Sequence, residues 1–302
     1  MLGKKSIHAE EAHNGNFVGG DWLPSMDLTN KFPDNWREFN SKYIPIYLQQ
    51  NPDKTKISAG LACGMLHTIC KGILTGDIVL CPDGNGNYFI GEVIWGYEYR
   101  KWGNLSHSRA VHWFPRVIAR TELSDSLRNS AGSIGTVSNI SKYAEEIEGF
   151  ISGGHISSIV SLDENIQDPS VFALEKHLED FLVKNWHHTE LGKLYDIYEE
   201  EGEKVGQQYP SDTGPIDILA ISKDKKVILV VELKRGRISD VVVGQIQRYM
   251  GYVQDELAEK NQTVRGAIIA FEDDIRVQRA LSVAPNIEFY TYKIHFKLEK
   301  IK

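Results

Sequence analysis

Three charged residues stand inside two short apolar runs in the second half of the chain. Asp217 lies in the run GPIDIL at 214–219, and Glu232 and Lys234 lie in the run VVELK at 230–234. Both runs are predicted strands, and side chains alternate along a strand, so Glu232 and Lys234 share a face. Hairpin pairing of the two strands can bring Asp217 opposite them. Charges among such apolar neighbours are costly unless they are paired or bind a cation.

Two carboxylates and one amine at a single point suit metal-assisted phosphodiester hydrolysis. Carboxylate oxygens are ligands that Mg²⁺ and Mn²⁺ prefer. A metal held by two carboxylates polarises a phosphoryl oxygen and lowers the pKa of a bound water, while an ammonium stabilises the developing negative charge. The alternative interpretation is structural: Asp217 caps a turn, and Glu232 and Lys234 form an ion pair.

The predicted elements place these residues in a mixed sheet. We expect strands at 216–221, 226–233 and 265–271, a helix at 170–185 ahead of them, and a helix at 241–260 between the last two. A hairpin followed by a strand–helix–strand crossover gives a sheet with both parallel and antiparallel neighbours and helices on its faces. The second half is therefore predicted to be α/β, within a chain that is α+β overall.

The ordered set resembles the PD-(D/E)XK nuclease superfamily, and within it the C-terminal domain of NucS-type endonucleases. The matching strings are Glu175, GPID at 214–217, ELK at 232–234 and QIQRY at 245–249. The order of helix Glu, strand Asp, strand ExK and helix Gln is the one that this family uses. The resemblance implies a restriction-endonuclease-like fold and a DNA-cleaving activity.

The resemblance also implies which residues bind metal and which assist. Asp217, Glu232 and Leu233 are the implied ligands of Mg²⁺ or Mn²⁺, and Lys234 is the implied catalytic lysine. The resemblance further implies a homodimer acting on DNA, and double-strand cutting would require two sites.

Two helices are expected to supply accessory groups. Glu175, on the helix before the strands, is the implied accessory acid, and Glu179, one helical turn further on, competes with it for this role. Gln245, on the helix after the strands, is the implied supporting residue.

Basic residues beside Lys234 are candidates for holding the phosphate backbone. Arg235 and Arg237 follow Lys234 directly, and Arg248 lies on the adjoining predicted helix. Phosphate contacts need cations near the reacting group, not across the whole surface. The alternative is that they are solvated loop and helix cations.

The first half alternates short β-type runs with Gly, Asn and Pro from about residue 30 to 147, including a predicted hairpin at 78–81 and 88–94. Its strings GDIVL at 76–80, YFIGEV at 88–93 and HSRAVHW at 107–113 resemble PUA-like modules, which include EVE domains. This resemblance implies a β-rich barrel with helices that reads a modified base in an aromatic pocket.

Four aromatic residues near strand ends are the nucleic-acid-binding candidates, although tryptophan and tyrosine side chains are often simply packed in a core. They are Trp22, Trp95, Tyr97 and Tyr99.

Length and composition fit two globular domains. A chain of 302 residues exceeds the usual size of one domain, so we predict a recognition domain at 1–150, a linker at 151–168 and a nuclease domain at 169–302.

The formal net charge of −7 argues against binding nucleic acid through bulk charge. No apolar stretch reaches the roughly 18 residues of a membrane helix and no signal peptide is evident, so a cytoplasmic protein without membrane contact is expected.

These patterns lead to one main interpretation and two alternatives. The main one is a Mg²⁺-dependent endodeoxyribonuclease that restricts modified DNA in host defence, with the first half reading the substrate. The first alternative is a NucS-like repair endonuclease acting on mismatched or branched DNA. The second is a non-catalytic nucleic-acid-binding protein on a nuclease scaffold.

Overall fold

A computed structural model describes residues 2–33, 35–131, 137–152, 178–234, 239–271 and 273–292. The chain divides into two compact units, Met1–Val160 and Ser161–Lys302. The predicted linker at 151–168 lies almost entirely outside the described residues, so its bounds stay a prediction. In the described part of the chain, no helix combines the length and apolar character needed to cross a membrane.

The first unit combines five helices with one antiparallel sheet in its described residues. The helices are α1 (Ala9–Asn14), α2 (Trp36–Gln50), α3 (Lys56–His67), α4 (Asp125–Ala131) and α5 (Ala144–Ser152). The strands are β1 (Phe17–Gly20), β2 (Ile78–Pro82), β3 (Asn87–Tyr99) and β4 (His107–Ala119). Their order in the sheet is β1-β4-β3-β2. The hairpin predicted at 78–94 is confirmed as β2–β3, whereas closure into a PUA-like barrel stays a prediction.

The prediction of β-type runs throughout residues 30–75 is wrong. That region contains α2 and α3, and each helix begins at a residue whose side chain accepts a hydrogen bond from the backbone amide three residues on. Asn35 starts α2 in this way at 2.8 Å, and Thr55 starts α3 at 3.2 Å. Such caps satisfy amide groups that have no partner within the helix. Phe39 and Tyr43, one helical turn apart, then bury the inner face of α2.

Strand β3 runs further than predicted because it contains a bulge. Val93 pairs with Val111 and Tyr97 pairs with Arg109. The three residues 94–96 of β3 therefore lie opposite the single residue 110 of β4. The guanidinium of Arg109, which is 4% exposed, donates to the carbonyl of Trp95 at 3.1 Å. The same group donates to the carbonyls of Ile69 and Ile73 around the π-helical turn that follows α3.

The second unit is built on a mixed six-stranded sheet. Its strands are β5 (Tyr195–Ile197), β6 (Gln207–Tyr209), β7 (Ile216–Ser222), β8 (Val227–Lys234), β9 (Thr263–Ala270) and β10 (Ile287–Thr291). Its helices are α6 (178–184 in the described residues), α7 (Glu190–Leu194), α8 (Val241–Tyr252) and α9 (Ile275–Leu281). A π-helical turn, Val253–Leu257, follows α8.

The strand order is β10-β9-β8-β7-β5, with β6 also paired to β7. Strands β8, β9 and β10 are parallel, whereas β7 is antiparallel to β5, β6 and β8. Strands β7 and β8 are joined by the short turn 223–226, in which the Ser222 hydroxyl accepts from the amides of Lys226 and Val227. The predicted mixed α/β fold is confirmed.

The two faces of this sheet bury different groups. One face contributes Ile218, Val231 and Leu233 to a core that also contains Trp186, which is 2% exposed. Because side chains alternate, Asp217 and Glu232 belong to the opposite face. Helix α8 packs there: a Cβ added to Gly266 of β9 would lie 2.7 Å from the sulfur of Met250, so the absence of a side chain lets the helix approach closely.

Candidate active site

The strand register brings the acidic residues of two strands together. Ile218 of β7 pairs with Val231 of β8, so Asp217, one residue earlier, and Glu232, one residue later, are cross-strand neighbours. On the other side of β7, Gln208 lies between the two paired positions of β6. Gln208, Asp217 and Glu232 therefore form a row across three strands.

Both oxygens of the Asp217 carboxylate accept hydrogen bonds from the protein. The backbone N–H of Leu233 donates to Oδ2 at 2.8 Å, and the side-chain amide of Gln208 donates to Oδ1 at 3.2 Å. These two bonds fix the orientation of the carboxylate at the start of β7. The role of Leu233 as a metal ligand stays a prediction.

Glu232 and Lys234 form an ion pair at the edge of the buried region. Glu232 is 2% exposed and Lys234 is 32% exposed, and Nζ of Lys234 lies 2.6 Å from Oε1 of Glu232. The distance is short even for a charge-assisted hydrogen bond. The structure thus brings Asp217, Glu232 and Lys234 together. The Glu232–Lys234 ion pair, which the alternative interpretation also predicts, is present as part of this arrangement.

Glu179, on α6, is the helix acid that the structure places beside Asp217. Its Oε1 accepts from the amide of Gln207 at 2.7 Å, and its Oε2 accepts from the amide of Gln208 at 2.8 Å. Burial, reinforced by the negative charge of Asp217, raises the pKa of the Glu179 carboxyl to about 7. Glu175, the accessory acid implied by the resemblance, lies outside the described residues.

Helix α8 contributes two polar side chains on the same side of the sheet. The amide of Gln245 donates to the hydroxyl of Tyr249 at 3.3 Å. Burial raises the pKa of Tyr249, and the negative charges of Glu232 and Asp217 act in the same direction. Tyr249 was not predicted as a site residue, although its spacing of four from Gln245 was a usable signal.

Gly214 explains how Tyr249 reaches this position. Its φ of +123° is a backbone conformation that residues with a side chain rarely adopt, and a Cβ there would lie 3.3 Å from the Tyr249 hydroxyl. Glycine at the start of the GPID string therefore allows the chain to turn into β7 close beside α8.

The donor set fits a hard divalent cation held partly by protein. Among the described residues, no group of three His, Cys, Asp or Glu side chains is arranged to hold a metal alone. Mg²⁺ usually takes only one or two carboxylates from a protein and completes its octahedron with water and substrate phosphate. Asp217 and Glu232, adjacent and on one face, supply that number.

The predicted phosphate-binding cations are only partly described. Arg248 is exposed on α8, and Arg235 and Arg237 lie outside the described residues. Their contact with nucleic acid stays a prediction.

The four aromatic candidates of the first unit occupy different environments. Trp95 lies in the β3 bulge and is 65% exposed, whereas Trp22 packs against the core formed by α2 and α3. The Tyr97 hydroxyl lies 2.8 Å from Nδ1 of the buried His107, and the Tyr99 hydroxyl donates to the carbonyl of Pro24 at 2.7 Å. Trp95 is thus the most accessible of the four, and their binding of nucleic acid stays a prediction.

Comparison with known proteins finds a family that is similar to the second unit. Residues 174–294 match the family described as the Endonuclease NucS C-terminal domain. The chain is 33% identical over 75 residues to endonuclease NucS of Methanocaldococcus jannaschii, covering 25% of this chain and 27% of that protein. It is 29% identical over 165 residues to endonuclease NucS of Corynebacterium efficiens, covering 53% of this chain and 65% of that protein. Both matches span less than two thirds of the relative.

One solved structure shows a weaker likeness. It is described as the structure of the EndoMS-dsDNA2 complex, with 14% sequence identity, a TM-score of 0.33, and coverage of 73% of this chain and 66% of that one.

The carboxylate pair and the lysine, which lie on neighbouring strands of the mixed sheet, fall within the matched residues 174–294. The second unit is similar to the NucS C-terminal domain, and the matched residues span the described elements from α6 to β10 that form the site. The NucS-type resemblance predicted from the sequence is confirmed, and the PUA-like resemblance of the first half stays a prediction.

Proposed function

We propose that the protein is a metal-dependent DNA endonuclease whose second unit hydrolyses phosphodiester bonds. The observation that carries this proposal is the meeting of Asp217, Glu232 and Lys234 on one face of the sheet. The match to the NucS C-terminal domain and the similarity to two proteins named endonuclease NucS support it.

Each residue of the site has a task in this reaction. Bound at Asp217 and Glu232, Mg²⁺ or Mn²⁺ supplies Lewis acidity and a water of lowered pKa. Lys234, which is anchored to Glu232 and 32% exposed, stabilises negative charge on the phosphate. The Leu233 N–H and Gln208 hold Asp217 in one orientation, so little reorganisation is needed when substrate arrives.

We favour mismatched or branched DNA over modified DNA as the substrate. The similarity to endonuclease NucS extends over 165 residues in one relative. The restriction interpretation rests on the PUA-like resemblance of the first half and its aromatic candidates alone.

A cleavage assay tests both the activity and the substrate class. The purified protein is incubated with Mg²⁺ or Mn²⁺ and with matched, mismatched, branched and modified duplexes of one length. We expect cleavage of mismatched or branched duplexes, and loss of at least about a thousandfold in rate for Asp217→Asn, since this residue acts directly at the reacting centre.

Asp196→Asn is the matched control, because Asp196 is an exposed aspartate on β5 of the same sheet. It should cut at the wild-type rate. Absence of cleavage on every duplex, with DNA binding retained, would favour the non-catalytic alternative, and preference for modified duplexes would favour restriction.

Cutting both strands requires two sites, and we propose a homodimer for this reason. Sedimentation of the purified protein measures the assembly directly, and a monomer at assay concentration would contradict it.

A further inference from the structure

Gln208 joins two carboxylates of the site with one side chain. Its Nε2 atom lies 2.8 Å from Oε2 of Glu179 and 3.2 Å from Oδ1 of Asp217. A side-chain amide has two N–H donors, so one can serve each carboxylate. The contact links α6 to β7, two elements that are distant along the chain.

The backbone of Gln208 is held in an unusual conformation. Its φ of +52° lies in the left-handed region, which is unfavourable for residues with a Cβ. Gln207 and Gln208 both reach Glu179, although consecutive side chains of a regular strand point to opposite faces. Strained backbone of this kind persists where the surroundings fix it and is common at functional sites.

The neighbouring bonds show what this geometry controls. The Leu233 N–H holds Oδ2 of Asp217 and Gln208 holds Oδ1, while Gln207 and Gln208 each hold one oxygen of Glu179. The carboxyl groups of Asp217 and Glu179 are thereby kept side by side, with Asp217 in the row that contains Glu232.

We propose that Gln208 is a positioning residue for the metal site, acting by fixing the carboxylates of Asp217 and Glu179. This inference rests on the proposed function, because it assigns Gln208 to the divalent cation at Asp217 and Glu232. Removing a hydrogen-bond partner of a ligating side chain typically weakens metal binding by about 10- to 100-fold.

Two substitutions separate the amide from the backbone. Gln208→Gly deletes the side chain and tolerates a positive φ, so the fold is not strained further. Gln208→Asn also tolerates this conformation. Its side chain is one methylene shorter, so its amide cannot reach both carboxylates.

The experiment titrates Mn²⁺ into the full-length protein without DNA, using calorimetry, and records the melting temperature of each metal-free variant. We expect Mn²⁺ affinity to fall about 10- to 100-fold in Gln208→Gly and Gln208→Asn, with metal-free melting temperatures at or above that of the wild type for the glycine variant. In cleavage assays, the Mn²⁺ concentration for half-maximal rate should rise by the same factor.

Two matched variants sharpen the comparison. Gln207→Ala removes a contact to Glu179 but none to Asp217 and should change affinity less, and Gln247→Ala, at an exposed position of α8, should change nothing. Wild-type affinity in both Gln208 variants would overturn this inference and leave the proposed function standing. Failure of the wild-type protein to bind Mn²⁺ would overturn both.

Discussion

At the residue scale, the Glu232–Lys234 pair joins a buried carboxylate to a partly exposed ammonium, at 2.6 Å. Removing one partner of a buried pair is costly, because the remaining charge is desolvated without compensation. We predict that Lys234→Met lowers the free energy of unfolding by about 3 kcal/mol, measured by urea denaturation.

Two further variants test the cause. The double variant Glu232→Gln, Lys234→Met should recover much of the loss, because no charge is then left buried. Lys193→Met removes the ammonium of the exposed Glu190–Lys193 pair, which spans 2.8 Å, and should cost less than about 1 kcal/mol. Equal losses for Lys234→Met and Lys193→Met would contradict the prediction.

His107 makes the stability of the first unit depend on pH. Its Nε2 lies 3.2 Å from the carbonyl of Leu23 and must donate, so its Nδ1, 2.8 Å from the Tyr97 hydroxyl, accepts. Burial lowers the pKa of this imidazole below its ordinary value of 6.5. The neutral ring therefore contributes stability that is fully present above pH 6.5 and is lost as the pH falls through the lowered pKa.

We predict that urea-unfolding free energy falls between pH 7.5 and pH 5, and that His107→Gln reduces this fall. His112→Gln, at an exposed position of β4, serves as the control and should leave the pH dependence as it is in the wild type. The same pH dependence in all three proteins would show that His107 is not responsible.

The sequence predicts the charged residues of the site better than the uncharged ones. Asp217, Glu232 and Lys234 are conspicuous because ionised groups are costly among apolar strand residues. Gln208 carries no such signal, because glutamine is a common surface type and only the register of β6 reveals its position. Tyr249 is uncharged, and its spacing of four from Gln245 is its signal in the sequence.

At the element scale, Arg109 connects three pieces of the first unit. It is almost fully buried on β4, and it donates to the carbonyl of Trp95 in the β3 bulge and to those of Ile69 and Ile73 after α3. We predict that Arg109→Met destabilises the protein by about 3 kcal/mol, because buried carbonyls lose charge-assisted bonds, measured by urea denaturation.

Arg116→Met is the control on the same strand. Arg116 is 39% exposed and pairs with Glu122 at 3.1 Å, so its loss should cost about 1 kcal/mol or less. If Arg109→Met proves no worse than Arg116→Met, the bonds of Arg109 do not hold the bulge.

Elements whose apolar residues recur with a strong periodicity, or form a long run, were predicted well. Strands β7, β8 and β9 fall within a few residues of their predicted bounds. Helix α8 begins at the predicted residue but ends at Tyr252, eight residues before its predicted end, because a π-helical turn at Val253–Leu257 follows it. The extension of β3 to Tyr99 was missed, because a bulge interrupts the alternation on which strand prediction depends. Helices α2 and α3 were missed because their start is set by the caps Asn35 and Thr55, which resemble turn residues in sequence.

At the scale of the whole molecule, the net charge of −7 means that the proposed function requires local cations to hold DNA. Arg248 is an exposed cation on α8, the helix that also carries Gln245. We predict that Arg248→Ala weakens binding to a 20-base-pair duplex in EDTA and reduces the magnitude of the negative slope of log K against log salt by about one. Fluorescence anisotropy at several salt concentrations measures both quantities.

Arg279→Ala changes the total charge equally, but its side chain is exposed on α9. Affinity and slope should be unchanged in this variant. A similar loss for both arginines would indicate a general effect of net charge and not a contact made by Arg248.

The turn 223–226 also bears on how the site assembles as the chain folds. Closing a short loop costs little conformational entropy, whereas parallel pairing of β8 with β9 must wait for a long crossover. Asp217 and Glu232 can therefore meet during the earliest local collapse, before α6 or α8 arrives. The hairpin is the smallest fragment that carries both acids, and the helices complete an arrangement whose centre is already in place.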